Sequence, residues 1–542
     1  MNNKGTVLIS SILSICSLTL GLLFFPSEVQ GQQQNPSGFE VVFEIPIGDE
    51  GIHYRGGDRP DGLRWGPLSF AVAPDGNFWI TDSAAIPERI VQYDTSGKLI
   101  GTIALEDTVS GISDIEVTNN SVFILAWAND PPRVIQISHS GTIQSVYEIP
   151  EPLHLENGLS GIALDGDNDI LLELEGGTSL FKLHPSPGEM TTIEVNGYTR
   201  NGVVAKANPP QIDSATLGQG SISYGNINID INVENRLGGL YVLGLHENGY
   251  LDVIADEISS TFEFKLDRTI HRYDRSGNMI GLVRVPREMR FAAVEHELAV
   301  GPDGYVYMML TQPDRVQILR LLFTDHVNPI LPSLPDVPIS DIQSNTSFSI
   351  LACQTRDSMI NMANAYLNNS TYLDAAHINV TASCDRVKPR YLSAAGTYYS
   401  VPYDIGGGDL PSQFNTYMTQ SGYFAGDIGS TTEGCSRGVD CAGFVSRCWG
   451  FGENMGTYYL RDHSIQIAQS SLLRGDVMLS INGGSDSGRH VILFSGFSGT
   501  TGMYGYEATT YSSWDKVVNR YRSWDWLYTN NYVPRKFENV CS

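Results

Sequence analysis

The sequence predicts a multidomain protein: an all-β propeller of five or six blades, followed by a smaller α+β domain. Three observations carry this prediction. An imperfect repeat runs through residues 38–325, a proline-rich break follows it, and six of the seven cysteines lie beyond residue 350. At 542 residues the chain is also longer than one hydrophobic core supports.

The N-terminus, residues 1–31, reads as an export signal. Lys4 gives a positive start, Val7 to Phe25 an apolar run, and Val29 and Gly31 the small residues before a cleavage site. Cleavage would leave Gln32 first; an uncleaved membrane anchor is the competing reading, because the run is near bilayer-spanning length. Cys16 follows Ile15, where a lipoprotein signal needs a small residue, so lipidation is not expected. No later segment is long and apolar enough to cross a membrane, so no transmembrane segment is expected once the signal is removed. The remaining cysteines, Cys353, Cys384, Cys435, Cys441, Cys448 and Cys541, are expected to form disulfides in an oxidising compartment. If one is a catalytic thiol, at most two bridges form and one cysteine is left over.

Charge divides unevenly along the chain. Residues 32–349 hold 19 Lys/Arg against 43 Asp/Glu, whereas residues 350–542 hold 14 against 16. So acidic a surface argues against nucleic acid and anionic lipid as partners. It suits a cationic partner of the propeller, or simply a solvated surface.

The repeat consists of short alternating strands joined by Asp-Gly or Ser-Gly turns. One unit reads GPLSFAVAPDGNFWITD (66–82) with RIVQYDTSGKLIGTIAL (89–105), and TIHRYDRSGNMIGLVRV (269–285) repeats its second half. A period of roughly 45 residues with several strands per unit means a propeller. Residues 197–265 are less regular. FEVVFEIPI (39–47) is expected to supply the outer strand of the last blade and close the ring. The units resemble the NHL-repeat and related six-bladed propellers of exported and sensory proteins, which implies a fold but no particular activity. Two motifs are set aside: AVEHELAV (293–300) lacks the second His of a zincin helix, and DGDND (165–169) is a turn rather than a calcium loop. No metal or cofactor site is expected.

Residues 326–349 are expected to be a proline-rich, semi-rigid linker. The second domain, residues 350–542, opens on a helical rhythm in DSMINMANAYLNN (357–369). In RGVDCAGFVSRCWGFG (437–452), Asp440 fits a helix N-cap and places Cys441 in the first turn, where free N–H groups favour a thiolate. Strands are expected in LLRGDVMLSI (472–481), in RHVILFSGF (489–497) opening on His490, and in MYGYEATTY (503–511) carrying Glu507. A helix cysteine, a strand histidine and a further polar strand residue are what acyl transfer by a thiol requires. Cys448, one turn on, reads as core or a disulfide partner, Cys435 as a disulfide partner, and the aromatic tail as strand and core.

VPYDIGGG (401–408), VDCAGFVSRCWG (439–450) and RGDV with HVILFSG resemble blocks of the NlpC-type cell-wall endopeptidases, a bacterial papain-like family. The resemblance covers residues 355–515 and implies Cys441 as nucleophile, His490 as base, Tyr403 near the nucleophile and Glu507 as third polar residue. This chain departs from the family in Ala442, where Ser is usual, in Glu507, where His is commoner, and in about thirty extra residues before the cysteine block. The resemblance implies an exported, cell-wall-associated cysteine hydrolase. It would cleave an amide bond in peptidoglycan stem peptides, with the propeller as a binding or scaffolding platform. The alternatives are a thiol amidase or acyltransferase on another acyl substrate, and a surface binding protein with a vestigial thiol site.

Overall fold

The structure is a computed structural model that describes residues 38–327 and 353–541. Outside the description, within those spans, are residues 56–63, 106–108, 110, 127–131, 150–158, 167–168, 175–176, 178, 184–192, 201, 210–217, 259–264, 287–290, 293, 380–383, 385, 430–431, 482–488 and 512–513. The expected signal and nearly all of the expected linker therefore lie outside the described residues.

Six antiparallel sheets of four strands follow one another from Phe39 to Leu321, an arrangement consistent with a six-bladed β-propeller. Their turns explain the repeat. In YDTSGK, the Asp94 carboxylate accepts the N–H groups of Ser96 (2.9 Å) and Lys98 (3.0 Å), while Gly97 supplies φ +82°. In YDRSGN, Asp274 and Gly277 (φ +81°) do the same. Asp165 likewise accepts from Asp169 N–H at 3.0 Å and pairs with Lys182, as a turn does. The segment 197–265 contains a complete fourth sheet, Tyr198–Arg200, Val203–Asn208, Gln219–Tyr224 and Ile227–Asn232. Its outermost strand, INIDIN, keeps the apolar–polar alternation, with Ile229 and Ile231 buried.

Ring closure follows the expectation. Phe39–Pro46 pairs antiparallel with Arg315–Leu321 as the outer strand of the last sheet. Ser69 in the first sheet bridges His296 beside the sixth, and the His296 N–H reaches Leu68 O at 2.9 Å. No edge of the last sheet is left without its fourth strand.

The C-terminal region centres on a six-stranded sheet. Its order is Ser464–Gln466, Val533–Phe537, Val477–Ser480, His490–Ser498, Gly502–Thr509 and Lys516–Ser523. Every adjacent pair is antiparallel. Strand alternation splits its side chains between two cores. Val477, Leu479, Val491, Leu493 and Ala508 pack with helices Arg356–Leu367 and Cys441–Cys448. Met478, Ile492, Phe494 and Met503 pack on the other face, where Trp65, Leu68, Ile258 and Leu266 of the propeller complete the core. Gly38–Ser542 is accordingly one compact unit. The tail holds a short helix, Trp524–Thr529, capped by Ser523, that the sequence does not announce. Trp524, Asp525, Trp526 and Leu527 are all buried, which erases helical periodicity.

Candidate active site

The helix Cys441–Cys448 begins where expected. The Asp440 side chain accepts the Gly443 N–H at 2.6 Å. The same carboxylate takes the Gly406 N–H at 2.9 Å and the Asn454 amide at 2.9 Å, so one residue ties the helix start to the triple-glycine loop. Gly443 permits that approach, because a Cβ there would collide with the Gly407 carbonyl oxygen. The segment around Tyr403 pairs with the approach to the helix: Tyr403 bridges Val439, and Asp404 N–H donates to Val439 O at 3.1 Å. Tyr403 is thereby set beside the stretch that delivers Cys441.

Disulfides join Cys353 to Cys541 and Cys384 to Cys435; among the described residues, Cys441 and Cys448 are buried thiols outside any disulfide. Two bridges fit an oxidising environment. Burial pushes the Cys448 thiol well above its ordinary range, as befits a core residue.

His490 and Glu507 meet directly, with His490 Nε2 2.7 Å from Glu507 Oε2. Arg522 donates to the other carboxylate oxygen from Nε (3.0 Å) and Nη2 (2.7 Å). Burial would raise the Glu507 pKa, but the Arg522 charge and the His490 hydrogen bond outweigh it and hold the group at about 2. An ionised Glu507 only accepts, so Nε2 carries the proton and Nδ1 is left as the basic nitrogen. His490 and Glu507 share strand parity with the residues on the propeller-facing side of the sheet, whereas Cys441 belongs to the helix-facing core. The Tyr532 ring stands edge-on to His490, 6.3 Å away between ring centres, in the propeller-facing core. Burial, then the Glu507 charge, push its hydroxyl pKa well up against the opposing Arg522 charge, and Cys441 adds to the rise. All four sequence candidates are buried: Cys441 and Glu507 at 0 % exposure, Tyr403 at 1 % and His490 at 2 %.

Sequence reasoning missed Asn454, Arg522 and Tyr532. Only Arg522 left a signal: Arg520 and Arg522 in NRYRSWDW sit two apart on one strand face. Among the described residues, no group of three or more His, Cys, Asp or Glu is placed to hold a metal ion. No helix among them is long and apolar enough to cross a membrane.

No protein-family model matches the chain, and no curated protein matches it. Solved β-propeller structures are similar over about half of it. A streptogramin B lyase structure is 14% identical, covering 52% of this chain and 99% of its own, with TM-score 0.28. A catalytically inactive virginiamycin B lyase from Staphylococcus aureus with quinupristin is 13% identical, covering 52% and 99%, with TM-score 0.30. A putative glucose dehydrogenase-type oxidoreductase from Thermus thermophilus is 16% identical, covering 50% and 100%, with TM-score 0.29.

Proposed function

We propose that the C-terminal region is an exported cysteine hydrolase of NlpC type that cleaves an amide bond in peptidoglycan stem peptides. The carrying observation is the buried His490–Glu507 pair at 2.7 Å, in a region whose helix starts on a disulfide-free cysteine. In this reading the chain must first bring the Cys441 thiol, on the helix-facing side of the sheet, to His490 Nδ1 on the other. The thiol then gives its proton there, and the thiolate attacks the scissile carbonyl carbon. The C–N bond then breaks as imidazolium returns the proton to the leaving amine. Glu507 fixes the ring and balances its charge while protonated. Water, deprotonated by the same histidine, releases the acyl group. Cys441 has no exposed surface, so substrate entry requires the surrounding chain to move.

That burial favours one second reading, a surface binding protein whose thiol does not turn over. Purified protein incubated with isolated cell walls separates the two. Release of stem-peptide fragments that Cys441→Ala abolishes, with the fold intact, supports the hydrolase. A wild type inert on walls whose Cys441 alkylates rapidly near neutral pH moves the chemistry to another amide or thioester substrate. An inert wild type with an unreactive thiol leaves the binding protein.

A further inference from the structure

The support of the His490–Glu507 pair extends out of the C-terminal region. Both Arg522 donors converge on Glu507 Oε1, which reserves Oε2 for His490. Arg522 is 2 % exposed and its guanidinium lies 3.8 Å from the Trp526 ring centre, so its plane is fixed. On its far side stands Glu295, whose Oε1 is 3.7 Å from Arg522 Nη1 and accepts from Arg520 Nη2 at 2.8 Å. Glu295 is a propeller residue, and its backbone N–H is held by Leu68 O at 2.9 Å where the ring closes. Glu295, Arg520 and Arg522 all line a cavity of about 1010 Å³ between the propeller sheets and the C-terminal cap.

We propose that Arg522 is a positioning residue for the thiol site and that the propeller holds it there through Glu295. The propeller is then a working part of the site and not only a platform. This rests on the hydrolase reading. The charges show why both partners are needed. Arg520 and Arg522 face Glu507 and Glu295, a neutral set of four in which Glu295 occupies Arg520. Without Glu295, two guanidiniums compete for Glu507 and draw its second oxygen from His490. Without Arg522, Glu507 loses both guanidinium hydrogen bonds and keeps only the weaker pull of Arg520 and His490, so burial shifts it toward its neutral form. A protonated Glu507 cannot balance an imidazolium.

The test is the pH profile of iodoacetamide alkylation at Cys441 in the full chain, read by peptide mass so that Cys448 is scored apart. For Arg522→Met the acid limb is expected to move up by about one pH unit or more, with Arg522→Lys between it and wild type. Glu295→Ala truncates a cavity-wall side chain and keeps the assay informative if Arg522→Met does not fold. It is expected to lower the plateau rate several-fold, with some thermal stability lost because Arg520 is left without its carboxylate, so the rate is read well below the melting temperature. A reactive wild type with an unmoved limb in Arg522→Met, or an unchanged plateau in Glu295→Ala, overturns the inference and leaves the hydrolase standing. A wild-type Cys441 unreactive at every pH overturns both.

Discussion

Two carboxylates near the candidate site are driven in opposite directions, and their pH signatures differ in sign. Glu507 is held at about 2, below the ordinary 4.5. Its contribution to stability is present above pH 4.5 and is lost as pH falls through about 2. Glu507→Gln strands the buried Arg522 charge, so a loss of about 3–5 kcal/mol is expected at pH 7, shrinking as the wild type is titrated below pH 4.5. Asp404 is the reverse case. Burial, with Asp427, Asp409 and Asp440 nearby, pushes it well above the carboxylate range. Its stabilising protonated form is favoured at low pH, and ionisation in the unfolded chain opposes folding as pH rises. Asp404→Asn is therefore expected to raise Tm at pH 7, with the gain vanishing below the ordinary carboxylate pKa. Melting curves across pH check both signs. At this scale the sequence exposes the helix start at Cys441 and the strands that carry His490 and Glu507, because a cap and strand alternation are local patterns. Glu295 and Arg522 are 227 positions apart in chain numbering, and nothing local links them.

Elements were legible where turn chemistry punctuates them. The Asp and Gly positions in YDTSGK and YDRSGN fix both the strand ends and the turn, and the helix Cys441–Cys448 is announced by Asp440. Legibility fails where apolar periodicity is missing for a physical reason, as in Trp524–Thr529, which is buried on every side. The helix and the triple-glycine loop show a further limit, since Gly443 reads as a poor helix former yet allows the loop to approach. Gly443→Ala improves intrinsic helix propensity by about 1 kcal/mol, but its Cβ collides with the Gly407 carbonyl, which is backbone and cannot swing away. The collision is expected to win, with a net loss of about 1–3 kcal/mol in denaturant unfolding and slower Cys441 alkylation. A stabilised Gly443→Ala would mean that the loop is not held against the helix.

At the scale of the molecule, the propeller and the C-terminal region pack against each other within one compact unit. A sheet in the C-terminal region has apolar residues on both faces, and a sequence showing Val477, Met478 and Leu479 in a row does not say what covers the second one. The propeller covers it. Met478, Ile492, Phe494 and Trp524 share a core with Trp65, Leu68, Ile258 and Leu266. Around that core Arg268 pairs with Asp525 at 2.7 Å, Arg520 with Glu295 at 2.8 Å, and Arg236 reaches Gln469 at 3.2 Å. A fragment of residues 350–542 alone would expose this apolar face and strand the buried Arg522 and Asp525 without their propeller partners. Expressed by itself, it is expected to aggregate or to bind a hydrophobic dye with collapsed near-ultraviolet dichroism. The full chain is expected to unfold in one calorimetric transition, because the shared core couples the halves. Two resolved transitions, with a soluble fragment whose Cys441 alkylates like that of the full chain, would show the contact to be dispensable and the halves to be independent.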